Sequence, residues 1–297
     1  MKWRRRHAPR IALTALVLLL ALAQAGGWMR LPFVDALDAF IYDARLRLTQ
    51  SHAPDTRIVI VDIDDASLQR YGQWPWRRDR MAQLTRELTE RQQVAVLGFD
   101  IMFVEEERSS GQAVIQALRQ GPWRADPALA AELDRLATSA DHDRLFAQAL
   151  DGQPVVLGFY FSNAAQAGGQ GTLPPAVLPA GLLPPNADHL PRWNHFGASL
   201  PPLAAAASSG FLNVVLDPRA DGVVRAVPLL ARYETGSAAN AGPAGYYESL
   251  GLAMYRRWTQ AQPAVAVTSG PGDGAPQLQA LWLQSPTGGR TVPVDAG

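Results

Sequence analysis

The stretch "VAVLGFDIMF", Val94–Phe103, is an almost unbroken run of apolar residues, and the predicted fold is built outward from it. Such a run, rich in β-branched and aromatic residues, is typical of a strand buried on both faces of a sheet. The earlier run "RIVIVDID", Arg57–Asp64, has the same character, and a helix is predicted between the two, from about Arg78 to Arg91. A strand, a helix and a second strand with short connections favour a parallel pair with a right-handed crossover.

The rest of the chain predicts further helices and strands around this pair. Helical sequence is present at 113–118 and 126–150, and "PVVLGFYF", Pro154–Phe161, predicts a third buried strand. Asp221-Gly222 between apolar runs predicts a hairpin, Tyr246–Trp258 predicts a helix, and short strands are predicted near the C-terminus. The sequence therefore predicts an α/β fold with a mostly parallel central sheet, flanking helices and a C-terminal β-hairpin region.

The N-terminal segment predicts one transmembrane helix. Residues 1–10 carry five basic side chains, and the apolar run of residues 11–29 would rise about 28 Å as a helix, close to the thickness of a hydrocarbon core. The positive charges favour a cytoplasmic N-terminus at the bacterial inner membrane, so residues 30–297 are predicted to form a periplasmic domain. A cleavable signal peptide is the alternative, because Ala21–Ala23 and Ala23–Ala25 resemble cleavage sites.

The composition excludes several classes of chemistry and of partner. Acidic and basic residues balance at 27 each, which argues against a nucleic-acid partner. The chain has no cysteine and its only lysine is Lys2, so thiol nucleophiles, disulfides and a catalytic or P-loop lysine beyond that position are excluded. Because no metal-binding histidine spacing, dinucleotide-binding glycine pattern or complete catalytic constellation occurs, we predict no cofactor, no metal site and no catalytic residue.

The motif "VDIDDAS", residues 61–67, offers one enzymatic hypothesis. Asp62 and Asp64 resemble the paired aspartates of haloacid-dehalogenase-type phosphatases, in which one carboxylate attacks phosphorus and the other acts as acid and base beside magnesium. Residues two apart on a strand project to the same face, which permits that geometry. The alternative, which is favoured because no lysine is available to bind the phosphate, is that Asp64 or Asp65 caps the following helix with the help of Ser67.

A polar crevice is predicted where the two strands end. Asp100 closes the second strand and is expected near Asp62 and Asp64, at the sheet edge where ligands usually bind. The stretch "YGQWPWRRDRM", residues 71–81, places arginines at a helix N-terminus, where they oppose the helix dipole. An ion pair between Asp100 and one of these arginines is therefore preferred to a free anion site. The ligand-crevice candidates are Asp62, Asp64, Asp100, Trp74, Trp76, Arg77 and Arg78.

Two motifs are predicted to start helices. In the first motif, the stretch at residues 71–81, Pro75 directs the chain into the helix, and Met81 begins the buried face of that helix. In the second, Asp141–Asp143, "DHD", the side chains are of types that bind cations, but a helix start is favoured because aspartates are common at helix N-termini.

Six segments of the chain follow one another in a recognisable order. They are "YDARLRL", "IVIVDIDDASLQRYGQWPWRRDRMAQL", "AVLGFDIMFVE", "HDRLFAQAL", "FLNVVLDPRADGVVRAVPLL" and the predicted helix Tyr246–Trp258. In this order they resemble CHASE domains of type 2 (CHASE2), which are extracytoplasmic sensory domains of bacterial receptors. The resemblance covers about residues 30–297, and the combination of "DDASL", "WPW" and "DGVVR" is specific to it.

The resemblance implies a non-enzymatic signal-input domain that controls a cytoplasmic adenylate or diguanylate cyclase, a histidine kinase or a Ser/Thr kinase. It also favours an uncleaved membrane anchor and a homodimer, with a small-molecule or protein signal that it does not identify. In the family, further strands, membrane helices and the output domain follow the sensor, whereas this chain ends at Gly297 within "TVPVDAG". The chain is therefore expected to be a truncated protein or a fragment. The alternatives to the sensory function are an exported phosphohydrolase that uses Asp62 and Asp64 and a secreted non-catalytic binding module.

Overall fold

The computed structural model describes the chain in the ranges 2–26, 28–29, 31–50, 53–107, 111–121, 126–164, 168–183, 190–214, 222–234, 242–268 and 277–294. The chain divides into two compact units. The first is formed by Met1–Ile63 and Leu216–Arg225, and the second by Asp64–Val215 and Ala226–Gly297.

Helices and strands are numbered along the chain. The helices are α1 (Lys2–Ala25), α2 (Pro32–Thr49), α3 (Asp65–Tyr71), α4 (Arg78–Arg86), α5 (Gln112–Gln120), α6 (Pro127–Ser139), α7 (His142–Leu150), α8 (Pro201–Ala206) and α9 (Leu250–Thr259). A turn of π-helix, Glu87–Arg91, extends α4. The strands are β1 (Leu97–Met102), β2 (Val155–Ser162), β3 (Gly168–Gln170), β4 (Leu178–Pro179), β5 (Arg192–Trp193), β6 (His195–Gly197), β7 (Ser208–Phe211), β8 (Leu230–Tyr233), β9 (Gly245–Glu248), β10 (Gln262–Thr268), β11 (Gln277–Ser285) and β12 (Gly288–Pro293).

The apolar part of the N-terminal helix, α1, is shorter than the apolar run predicted from the sequence. α1 ends at Ala25, so its apolar part from Ile11 onward rises about 22 Å, less than the roughly 30 Å of a hydrocarbon core. Within the described part of the chain, no helix combines the length and the apolarity needed to cross a membrane. The predicted anchor over residues 11–29 is therefore not supported by the structure.

α2 is the second helix of the first unit, and an ion pair ties it to a distant segment. Pro32 occupies its first turn, where a missing backbone N–H costs nothing. The Nε and Nη2 groups of Arg225 each donate to a carboxylate oxygen of Asp43 at 2.9 Å. This bidentate contact has the geometry that makes arginine–carboxylate pairs specific, and it joins Arg225 to α2.

The run "RIVIVDID" corrects the first prediction made from the sequence. Residues 57–63 belong to no helix or strand, and Ile58, Val59 and Ile60 are 73%, 78% and 88% exposed. β1 pairs instead with β2, with Leu97 opposite Val155. An apolar run predicts burial in a sheet, but it does not specify which other run supplies the neighbouring strand.

The central sheet of the second unit has the strand order β1-β2-β6-β3, with β7 also paired to β2. β1 and β7 run parallel to β2, and helices α5, α6 and α7 connect β1 to β2. The strands predicted over Val94–Phe103 and Pro154–Phe161 are thus present as β1 and β2, but only β2 is buried along most of its length, since Phe99 is the one buried residue of β1. β6 runs antiparallel to β2, with Phe161 opposite Phe196. The sheet is therefore mixed and not mostly parallel, because the chain returns alongside β2 after a long excursion.

The C-terminal part of the second unit forms two smaller sheets. The helix predicted over Tyr246–Trp258 starts later than expected. Asp221 lies outside the described residues, and β7 and β8, which would flank the hairpin, belong to different sheets. β8 pairs with β9, so Tyr246 and Tyr247 lie in a strand, and α9 begins only after Ser249, whose side chain caps it. The short C-terminal strands form an antiparallel sheet in the order β10-β11-β12.

The core beside β1 is aromatic and lies between the central sheet and α4, α7 and α8. Phe99, Phe103 and Phe146 contact one another edge to face, with ring centroids 5.0–5.9 Å apart. Met81 is fully buried in the same cluster, which confirms the predicted buried face of α4. This packing fixes α4 and α7 at the carboxyl end of β1, where the polar groups described below converge.

Candidate functional site

The corner before α4 is a cluster of aromatic side chains held by one arginine. The indole N–H of Trp76 donates to the carbonyl of Gly72 at 2.8 Å, and the rings of Tyr71 and Trp76 meet edge to face at 5.8 Å. The guanidinium of Arg80 lies 5.1 Å from the Tyr71 ring centroid and 5.7 Å from that of Trp76, and it donates to the Tyr71 carbonyl. Cation–π contacts and hydrogen bonds together fix this corner against the start of α4.

Arg78, at the first position of α4, is the most enclosed cation of the site. Its Nε donates to Asp143 Oδ1 at 3.2 Å, and its guanidinium lies 4.5 Å from the centroid of the Phe103 ring. The side chains of Arg78 and Asp143 are only 11% and 16% exposed. Burial lowers the pKa of Arg78, and the negative charges of Asp143 and Glu107 oppose that shift.

Glu107, in the segment that leaves β1, joins α4 to α7. Its Oε2 accepts a hydrogen bond from the backbone N–H of Arg78 at 2.8 Å and lies 3.1 Å from Nδ1 of His142. Its own backbone N–H donates to Asp143 Oδ2 at 2.9 Å. Because Glu107 and His142 are both buried, these contacts are shielded from water and strengthened by the lower local dielectric.

A cavity of about 1250 Å³ opens beside this network, at the carboxyl end of β1. Its polar lining is supplied by Glu105–Glu107, Gln112, Gln116, Gln170 and Thr172, and its apolar lining by Leu173, Phe196, Leu200 and Pro243. At Gly171, which also lines it, φ is +74° and a side chain would collide with the Ala198 carbonyl, so only glycine fits. A concave site lined by apolar side chains and several polar groups is the usual form of a small-molecule site.

None of the predicted aspartates Asp62, Asp64 and Asp100 is among the residues that line this cavity. Asp62 is exposed in the first unit, and Asp100 is exposed in the middle of β1 rather than at its end. Asp64 caps α3 by accepting from the backbone N–H of Ser67 at 2.8 Å and from its hydroxyl at 2.6 Å, which confirms the predicted cap. These hydrogen bonds lower the pKa of Asp64.

The predicted ion pair between Asp100 and Arg77 or Arg78 is wrong. Arg77 binds Asp79 at 3.0 Å, and Arg78 binds Asp143. Asp143 lies 65 residues from Arg78 in sequence, and the packing of α4 against α7 decides the pairing.

The aromatic candidates lie at the corner. Trp74 is 41% exposed, and its ring centroid is 6.2 Å from that of Trp76. Trp76 and Arg77 line a smaller cleft of about 240 Å³. A ligand role for the seven candidates remains a prediction, and none of them lines the large cavity.

Sequence reasoning missed Glu107, His142 and Asp143 as members of one network. Asp141 accepts from the backbone N–H of Arg144 at 3.0 Å, which confirms that "DHD" starts a helix. The acidic run Glu105–Glu107 is the sequence signal that could have indicated this network. It directly follows a predicted strand and so lies at the carboxyl end of that strand, where ligands usually bind.

Comparison with known families gives one match. A family model described as "CHASE2 domain" matches residues 13–295, which is nearly the whole chain. Comparison with curated proteins and with solved structures gives no match.

Proposed function

This chain belongs to the CHASE2 family of sensory domains, and from that premise we propose that the cavity at the carboxyl end of β1 binds its signal. CHASE2 domains are extracytoplasmic, non-catalytic sensory domains that occur in membrane receptors. A small organic molecule is the proposed ligand class, because the cavity lining combines apolar side chains with carboxylate and amide side chains.

The observation that carries this proposal is the double role of Glu107. It lines the cavity, and the same side chain accepts from the Arg78 backbone and contacts His142. A ligand that hydrogen-bonds to Glu107 competes with these partners and changes how strongly the start of α4 is held to α7. Such a ligand shifts the population between two arrangements of these helices in proportion to its difference in affinity for them.

We further propose that the domain acts at the bacterial inner membrane, as a homodimer, on a cytoplasmic cyclase or kinase. The occurrence of CHASE2 domains in membrane receptors supports this assignment. A phosphohydrolase is disfavoured because Asp64 is committed to capping α3. A secreted binding module is the remaining alternative, and membrane fractionation of the expressed full chain separates it from the receptor: a secreted module is recovered in the soluble periplasmic fraction.

A cavity-filling substitution tests the site. Ala113, on α5, is exposed and lines the cavity, whereas Ala117, one turn later on the same helix, is equally exposed and is not part of the lining. Thermal-shift screening of the full chain against small metabolites is expected to identify compounds that raise Tm. Ala113→Trp is expected to abolish that rise because the indole occupies the mouth of the cavity.

Ala117→Trp is the matched control, since it adds the same side chain to the same helix. It is expected to retain the ligand response, and both variants are expected to melt as cooperatively as the wild type in the absence of ligand. An unchanged ligand response in Ala113→Trp, or a wild type that no compound stabilises, would contradict the assignment of the cavity as the signal site.

A further inference from the structure

His142, the first residue of α7, is held between an arginine and a carboxylate. Its Nε2 lies 3.2 Å from Nη2 of Arg77, and its Nδ1 lies 3.1 Å from Oε2 of Glu107. The side chains of His142 and Glu107 are 7% and 9% exposed, whereas that of Arg77 is 54% exposed. Two partners from different parts of the chain therefore contact the two ring nitrogens of one buried imidazole.

The chemistry of these partners determines the protonation state that the arrangement requires. A guanidinium has only hydrogen-bond donors, so Nε2 of His142 must accept from Arg77 and cannot carry a proton. Nδ1 then carries the proton of the neutral ring and donates it to the carboxylate of Glu107. The contacts thus require a neutral His142 in the Nδ1–H tautomer.

The elements packed together here carry several charged groups besides the two that contact the His142 ring. With those two included, they are Glu105 and Glu107 after β1, Arg77, Arg78 and Asp79 at the start of α4, and Asp141, Asp143 and Arg144 on α7. Helix α8, which also packs against α7, contributes no titratable side chain. Of the two direct neighbours, Glu107 favours the protonated ring and Arg77 opposes it.

We propose that Arg77, His142 and Glu107 form a proton-sensitive contact that opens when His142 gains a second proton. An Nε2–H cannot accept from Arg77, and two positive charges then face each other. Arg77 is free to move because it is more than half exposed and already donates to Asp79 at 3.0 Å. Glu107 retains the imidazolium as a charge-assisted partner.

The consequence is a change at the start of α4 when His142 is protonated. The corner that contains Arg77 loses its contact with α7, while the contact between Glu107 and α7 becomes stronger. Because Glu107 lines the cavity, protons and the cavity ligand act on one residue. A role of protons as a second signal rests on the proposed sensory function. The proton-sensitive contact itself does not depend on that function.

NMR of the full chain labelled with ¹⁵N in its histidine rings tests the contact without any ligand. The chain has five histidines, and the signals missing from His142→Gln identify those of His142. At pH 8 the ring is expected in the Nδ1–H tautomer. On acidification both ring nitrogens should become protonated. Arg77→Met is expected to move this transition to higher pH, and Glu107→Gln to lower pH, each by about half a pH unit or more.

Arg91→Met is the control, because Arg91 is an exposed arginine that pairs with Glu87 and makes no contact with His142. It is expected to leave the His142 transition in place. An Nε2–H tautomer at pH 8, or an Arg77→Met transition that coincides with the wild-type one, would overturn the proposal. Failure of the metabolite screen would instead refute the cavity as the signal site and leave this contact standing.

Discussion

Substitution of Asp143 by alanine is expected to be among the most destabilising single changes on the surface of α7. It leaves the guanidinium of Arg78, which is 11% exposed, with the Glu105 carbonyl, the face of the Phe103 ring and the nearby negative charge of Glu107. It also removes the acceptor for the backbone N–H of Glu107. A buried charge that loses its partner typically costs 3–5 kcal/mol.

The lower end of that range applies here, because both partners retain some contact with water. We expect Asp143→Ala to lower the free energy of unfolding by about 3 kcal/mol, which is roughly a hundredfold change in the folding equilibrium. Asp143→Asn should cost less, since the amide oxygen can still accept from Arg78. Glu132→Ala, which breaks the exposed pair with Arg135, should cost less than about 1 kcal/mol.

Urea unfolding of the full chain, followed by circular dichroism and tryptophan fluorescence, measures these differences. The double variant Arg78→Met/Asp143→Leu should be more stable than Asp143→Ala, because an apolar pair leaves no uncompensated charge. A cost for Asp143→Ala equal to that of Glu132→Ala would refute the reasoning, since it would mean that Arg78 is solvated without its partner.

Three further predictions concern other parts of the chain. Ile60→Ala should change the free energy of unfolding by no more than about 0.5 kcal/mol, because Ile60 is 88% exposed, whereas Phe103→Ala should cost about 3–5 kcal/mol. A cost above about 2 kcal/mol for Ile60→Ala in the same urea titration would support a buried strand at residues 57–63. Ser249→Ala should cost about 1 kcal/mol in the same urea titration by removing the cap of α9. Because the folded-state pKa of Asp64 is depressed, its stabilising effect is present above the unfolded pKa of about 3.9 and is lost as pH falls through the folded value. The Tm advantage of wild type over Asp64→Ala should therefore shrink between pH 5 and pH 2, and an advantage that does not change with pH would contradict this.

Local patterns in the sequence determined much of the second unit. The apolar runs that became β1 and β2, the buried face of α4 at Met81 and the Asp64 cap could all be predicted, because each depends on a few neighbouring residues. The order of the motifs was also sufficient to identify the family, which is a property of the whole sequence.

Only the tertiary structure decided which of these elements meet. Residues 57–63 and β1 have equally apolar sequences, yet β1 pairs with β2 and Ile60 is exposed, because strand pairing depends on a partner that the run itself does not encode. The same holds for the site. Arg78 and Asp143 are 65 residues apart, and their pairing and the position of His142 between Arg77 and Glu107 follow from the packing of α4 and α7 against the Phe103 core. Side chains this distant along the chain carry no local signal of their contact, because the contact is created only when the helices pack.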